Sequence, residues 1–159
     1  MIIKPPKRQH TFGKRVFLAG SIEMGMAEDW QAKVGAGLDK STVCIYNPRR
    51  DQWDASWEQD ISNPQFKEQV VWELDNLEIS QVKLFYFDPN TKAPITLMEL
   101  GLAAAEYNAD WKPDLEHMIV CCPKGYWRKG NVDIVCERFA IQQVATLDDL
   151  IIEGKKHLN

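Results

Sequence analysis

The chain of 159 residues has no Cys-x-x-Cys pair, no histidine cluster, no long apolar run and no large excess of charge. Each absence excludes a class. Cys44, Cys121, Cys122 and Cys136 lack redox or zinc spacing, and three of them sit in apolar segments. They read as reduced core thiols of a cytoplasmic protein. Three scattered histidines supply no ligand set, so neither metal nor organic cofactor is expected. No stretch reaches the roughly 18–20 apolar residues that span a bilayer. The basic start "MIIKPPKRQHTFGKR" lacks the apolar segment of a signal peptide and reads as a tail over residues 1–14. A net charge of −4 argues against bulk-charge binding of nucleic acid. Repeats, low-complexity segments and a linker are also missing, so residues 15–159 are expected to form one domain.

What is present alternates. "RVFLAGSI", "TVCIYNP", "VKLFYFD" and "HMIVCCP" are short apolar runs stopped by turn residues, the pattern of strands. Between them lie segments of helical period. Trp30, Val34 and Leu38 mark the first, and Phe66, Val70, Leu74 and Leu77 the second. "VDIVCERFAIQ" reads as a helix and "VA" as a short last strand. "TLDDLIIEGKKHLN" closes the chain as a helix capped by Thr146. Strand–helix alternation predicts a flavodoxin-like α/β/α fold with a parallel sheet of four or five strands in order 2-1-3-4-5. Ligands of such folds bind beyond the carboxyl ends of the strands, where strand order reverses. That edge collects Gly20 and Ser21 after the first strand, the loop "NPRRDQWDASWEQD" after the second, and "FDPNTKAPITLMELG" after the third.

Glu99 stands inside the apolar run "PITLMELGLAAAEY", and the residues alone leave two uses open. Thr96 to Glu99 matches a capping box, with Ile95 and Leu100 as its hydrophobic staple. Alternatively, Glu99 is a carboxylate held ionised in a first helical turn and able to attack an electrophilic carbon. Trp53 and Trp57, beside Arg49 and Arg50, suit an aromatic lid over a planar base. Glu73 and Asp75 are two apart on a helix, so at most one faces a shared site. Asn131 follows Arg128 and Lys129 as a candidate helix cap.

With these residues in view, the chain resembles the nucleoside 2-deoxyribosyltransferase superfamily over roughly residues 15–150. The segments that carry the resemblance are "RVFLAGSI", "YNPRRDQWDASW", "PITLMELGLAAA" with its Glu-Leu-Gly, and "WRKGNVDIVCERF". The resemblance implies that Glu99 attacks C1′ of a deoxynucleoside and displaces the base. The deoxyribosyl-enzyme then passes to another base or to water, in the manner of retaining glycosidases. It implies an acid toward the base, at Glu73 or, as the alternative, Asp75. It places Phe17 where family transferases often carry a tyrosine. It places Ala93 where many carry an aspartate, with Asp88 as the nearest substitute. Gly20, Ser21, Arg49, Trp53, Trp57, Pro94 and Asn131 fall on the substrate side. Two alternatives stand beside transfer: a non-catalytic nucleotide-binding module on the same fold, and the activity of a related branch, which hydrolyses deoxynucleoside 5′-monophosphates. Here Glu23 follows its Gly-Ser-Ile turn, so phosphate would need Arg49, Arg50 or Arg128. The resemblance further implies a homodimer or larger homo-oligomer, and as ligands a nucleoside or nucleotide and a free nucleobase.

Overall fold

A computed structural model describes residues 1–8, 13–23, 27–38, 43–107 and 116–158. His10 and the middle of the basic start lie outside them. Six parallel strands make one sheet: β1 (Ile2–Ile3), β2 (Lys14–Gly20), β3 (Val43–Tyr46), β4 (Val82–Tyr86), β5 (His117–Cys121) and β6 (Gln142–Val144). Their order is β1-β3-β2-β4-β5-β6. Without β1 this is the expected permutation 2-1-3-4-5. The extra strand comes from residues expected to form a tail. Ile3 is buried beside Tyr46, and the Met1 amino group donates to the Val43 carbonyl. Two residues are too few to show a period of two, so β1 has no signature in the residue pattern.

Five helices cover the sheet: α1 (Trp30–Gly37), α2 (Pro64–Ile79), α3 (Pro94–Tyr107), α4 (Lys129–Arg138) and α5 (Leu147–Lys156). Alternate residues of the strands feed two cores, because strand side chains point to opposite faces in turn. Phe17, Ala19, Phe85, Met118 and Val120 pack with Trp72 of α2, Leu100 of α3 and Val132 of α4. Val16, Leu18, Leu84, Ile119 and Cys121 pack with Trp30 and Val34 of α1 and Leu150 of α5. The strands are thus buried on both faces, as near-continuous apolar runs require. All four cysteines are free and buried.

Helix starts required three corrections. Thr96 is no cap: α3 begins at Pro94, after Ala93 turns to a left-handed φ of 42°. That puts Glu99 in the second turn, so the box with Thr96 does not form. Ile95 is more than half exposed, which removes the staple. Asn131 is no cap either, since α4 starts at Lys129 with Arg128 in the cap position. Thr146 does cap α5, its side chain accepting from the Asp149 amide.

Candidate active site

The connection from β2 through α1 leads to β3 on one side. The connection from β3 through α2 crosses back to β4 on the other. The reversal leaves a crevice beyond the carboxyl ends of β2 and β4. A cavity of about 430 Å³ occupies it. Its floor is Gly20 and Ser21, with Ile22 and Glu23 following. One wall is α3, through Pro94, Ile95, Thr96, Met98 and Glu99. The other is α2, through Phe66, Gln69, Val70, Glu73 and Leu74. Pro48, Arg49, Arg50, Trp53 and Gln59 close the top.

Gly20 is required where it sits. A Cβ there would lie 2.4 Å from the Trp30 ring and 2.5 Å from the Tyr86 carbonyl. Ser21 is fully buried, and its hydroxyl takes bonds from the Asp88 amide (3.3 Å) and the Thr91 hydroxyl (2.6 Å). These bonds tie the turn after β2 to the loop after β4. Glu23 makes a second tie. Its Oε1 accepts from the amides of Lys92 and Ala93, each at 3.0 Å. Glu23 and Ala93 both have left-handed φ, 45° and 42°. Such backbone costs of order 1–3 kcal/mol per residue and persists where the surroundings hold it.

Glu73 and Glu99 face the same cavity from α2 and α3. Burial pushes the Glu73 carboxyl up to about 7, against a lowering hydrogen bond from Gln69. Burial also raises the Glu99 carboxyl well above its usual range, and the Glu73 charge adds to that rise. Two carboxyls this close cannot both ionise cheaply. The expectation that the helix dipole keeps Glu99 ionised is therefore corrected. The dipole acts within the first turn, whereas Glu99 lies in the second and is desolvated. Glu99 accepts no hydrogen bond among the described residues, so its oxygens stay available to a ligand.

The remaining expected site residues divide. Gly20, Ser21, Arg49, Trp53 and Pro94 line the cavity. Trp57 stands behind Trp53, ring centroids 5.3 Å apart, and Arg50 lies over the Trp57 ring at 5.1 Å. Phe17 is wholly buried in the core. Asp75 points away and pairs with Arg8 at 2.8 Å, as its two-residue offset from Glu73 demands. Asp88 is buried outside the cavity lining and accepts from the Asn90 backbone and side chain, so it shapes the loop. Asn131 and Arg128 line a separate hollow between α3 and α4, with Leu97, Leu100 and Val135.

The cations are already engaged. Arg49 donates to the carbonyls of Ala27 (2.7 Å) and Glu28 (3.1 Å) and lies 3.6 Å from Asp29. Arg50 pairs with Glu68 at 3.3 Å. Gln69 was not singled out in the sequence, yet it is the most connected polar side chain of the wall. It donates to the Pro48 carbonyl (2.9 Å) and to Glu73 (2.8 Å). Its only signal was its place four residues before Glu73 on an expected helix. No group of three or more metal-ligating side chains occurs among the described residues. No helix among them is long and apolar enough to cross a membrane.

A parallel α/β sheet with a cavity at its switch point, walled by two buried carboxyls, defines a class: an α/β protein with a ligand-sized crevice at the carboxyl ends of its strands. The comparisons narrow it. The sequence pattern described as nucleoside 2-deoxyribosyltransferase like matches residues 13–126, and the chain belongs to that family. Among solved structures, a conserved protein from Enterococcus faecalis V583 superposes with a TM-score of 0.62 at 17% identity. The match covers 92% of this chain and 99% of that one, and it supports the fold. No curated protein matches the chain.

Proposed function

We propose that the protein transfers the glycosyl group of a deoxynucleoside, with Glu99 as nucleophile and Glu73 as acid. The observation that carries this reading is the pair of buried carboxyls, Glu73 and Glu99, that face one cavity from α2 and α3, each with its hold on a proton strengthened by burial. One proton is what the reaction needs. Burial in the free cavity favours the proton on Glu99, so the reactive form is the one in which that proton has passed to Glu73. Glu99, now a carboxylate, attacks C1′, and the bond from C1′ to the base nitrogen breaks. Its electron pair leaves with the base, which takes the Glu73 proton at a ring nitrogen. The resulting ester between Glu99 and C1′ is then attacked by a second base or by water, with Glu73 taking the proton back. The Trp53 ring and the apolar stripe Phe66, Val70 and Leu74 supply flat contact for a base.

An unphosphorylated nucleoside fits better than a 5′-monophosphate. Glu23 brings a carboxylate to the mouth beside the start of α3, where a helix would otherwise favour a phosphate. Arg49 and Arg50 are already paired, and Arg128 lies in the other hollow. The partner proposed is a second copy of the chain. Ile95, Met98 and Leu102 are each about half exposed along α3, and the first two border the cavity. Sedimentation of the purified protein as a monomer at micromolar concentration would remove that part of the reading.

The test of the activity is incubation with deoxynucleosides and a different free base, followed by chromatography. A new nucleoside, or released base when no acceptor is added, is expected. The absence of both across nucleosides and monophosphates would overturn the reading.

A further inference from the structure

Gln69 sits on the core side of α2, nearly inaccessible, between the loop after β3 and Glu73. Its amide nitrogen has two hydrogens and uses both. One goes to the Pro48 carbonyl at 2.9 Å and the other to Glu73 Oε1 at 2.8 Å. The opposite flip would set the amide oxygen against two acceptors, so the orientation is fixed. The Gln69 oxygen in turn lies 3.5 Å from the Arg50 guanidinium. A carboxyl oxygen that accepts from an N–H cannot present a proton along the same line.

We infer that Gln69 is a positioning residue for Glu73: it reserves Oε1 as an acceptor, so that the proton Glu73 gives up is carried on Oε2. This rests on the glycosyl-transfer reading for its role in turnover. Oε2 accepts no bond among the described residues, which leaves it to the cavity. In the forward step the Oε2–H bond breaks as the base nitrogen gains the proton. The carboxylate left behind keeps its bond from Gln69. In the return step Oε2 takes a proton from the incoming base or water. The amide therefore stabilises the ionised product of the proton transfer and opposes the upward push of burial. The charged groups facing Glu73 are Glu99 on α3, Glu23 after β2, and Arg49 and Arg50 after β3. An ionised Glu73 opposes ionisation of Glu99, and Arg50 touches Gln69 rather than Glu73 itself.

The test compares wild type with Gln69→Leu and with Gln69→Glu, which keeps a polar side chain of the same length should the leucine variant fail to fold. Turnover over pH gives one readout. An infrared titration of the protonated-carboxyl stretch in the substrate-free protein gives another that needs no activity. With the donor gone, Glu73 should keep its proton to higher pH. The alkaline limb of kcat/KM and the infrared midpoint should both rise by about one pH unit. The plateau kcat should fall roughly tenfold as orientation is lost. A lower rate with both pH midpoints unmoved would overturn the proposal, as would no change at all. If no nucleoside is turned over, the glycosyl-transfer reading falls and the infrared midpoint alone decides the role of Gln69.

Discussion

Helix α5 carries Thr146 at its cap, Asp148 and Asp149 in its first turn, and Lys155 and Lys156 in its last. Helix α3 carries no acid in its first turn and no base in its last. The two pack on opposite faces of one sheet. α5 follows the local rules: capping, dipole complementarity and an apolar face ending on Leu150. α3 departs from them. It follows a strained Ala93, the amides of Lys92 and Ala93 just before it are bound by Glu23 from about 70 residues earlier, and it buries a carboxyl in its second turn. Chains break local rules where a site needs it and compensate elsewhere. The departures on α3 all border the cavity.

The comparison can be broken most directly at Glu99. Glu99→Gln keeps the shape of α3 and removes the nucleophile, so exchange should fall at least about a thousandfold. Retention of the rate would end the nucleophile assignment.

Stability separates the cavity walls, α2 facing α3, from α5 next. Glu73 titrates near 7 in the fold and near its ordinary 4.5 when exposed. Between those values the folded chain holds a proton that the unfolded chain has released. Stability contributed at this site therefore falls as pH rises from about 4.5 through about 7, and the cost is absent below 4.5. Glu73→Gln should raise the unfolding free energy by roughly 1–3 kcal/mol at pH 8 and leave it unchanged at pH 4. Denaturant titration at the two pH values measures this, and an equal change at both would refute it. On α5 the sign is opposite. Thr146→Ala should cost about 1 kcal/mol at both pH values with kcat unaltered.

The smallest effect is expected at the mouth. Glu23→Gln keeps an oxygen for the Lys92 and Ala93 amides and deletes the charge. The preference of kcat/KM for a deoxynucleoside over its 5′-monophosphate should narrow by about tenfold. Unchanged discrimination would show that Glu23 acts only as a brace.

Much of this architecture is readable from residues. The alternation of apolar runs and helical periods predicts the parallel sheet and its reversal point, because those patterns arise from burial on two faces. The period of α2 was equally plain, but it does not say which wall a stripe faces. Phe66, Val70 and Leu74 line the cavity, while Gln69, Trp72, Asn76 and Leu77 are the buried residues. An apolar stripe toward a ligand and one toward a core look alike in sequence. Thr96 to Glu99 misled for a related reason. The capping pattern was intact, but tertiary bonds from Glu23 and the turn at Ala93 started the helix three residues earlier. Gln69 was silent because its partners, Pro48 and Glu73, meet only after folding.

The end of β5 has a use beyond packing. Cys121 belongs to the core under α1 and α5, whereas its neighbour Cys122 belongs to the core under α2, α3 and α4. Burial pushes their thiols up to about 12 and about 11, so neither is a ready nucleophile in the closed fold. Adjacent in the chain and separated by the sheet, they form a pair of chemical clocks. The rate at which each is trapped by a thiol reagent times the opening of its own layer, and the layer of Cys122 is the one whose helices α2 and α3 wall the cavity.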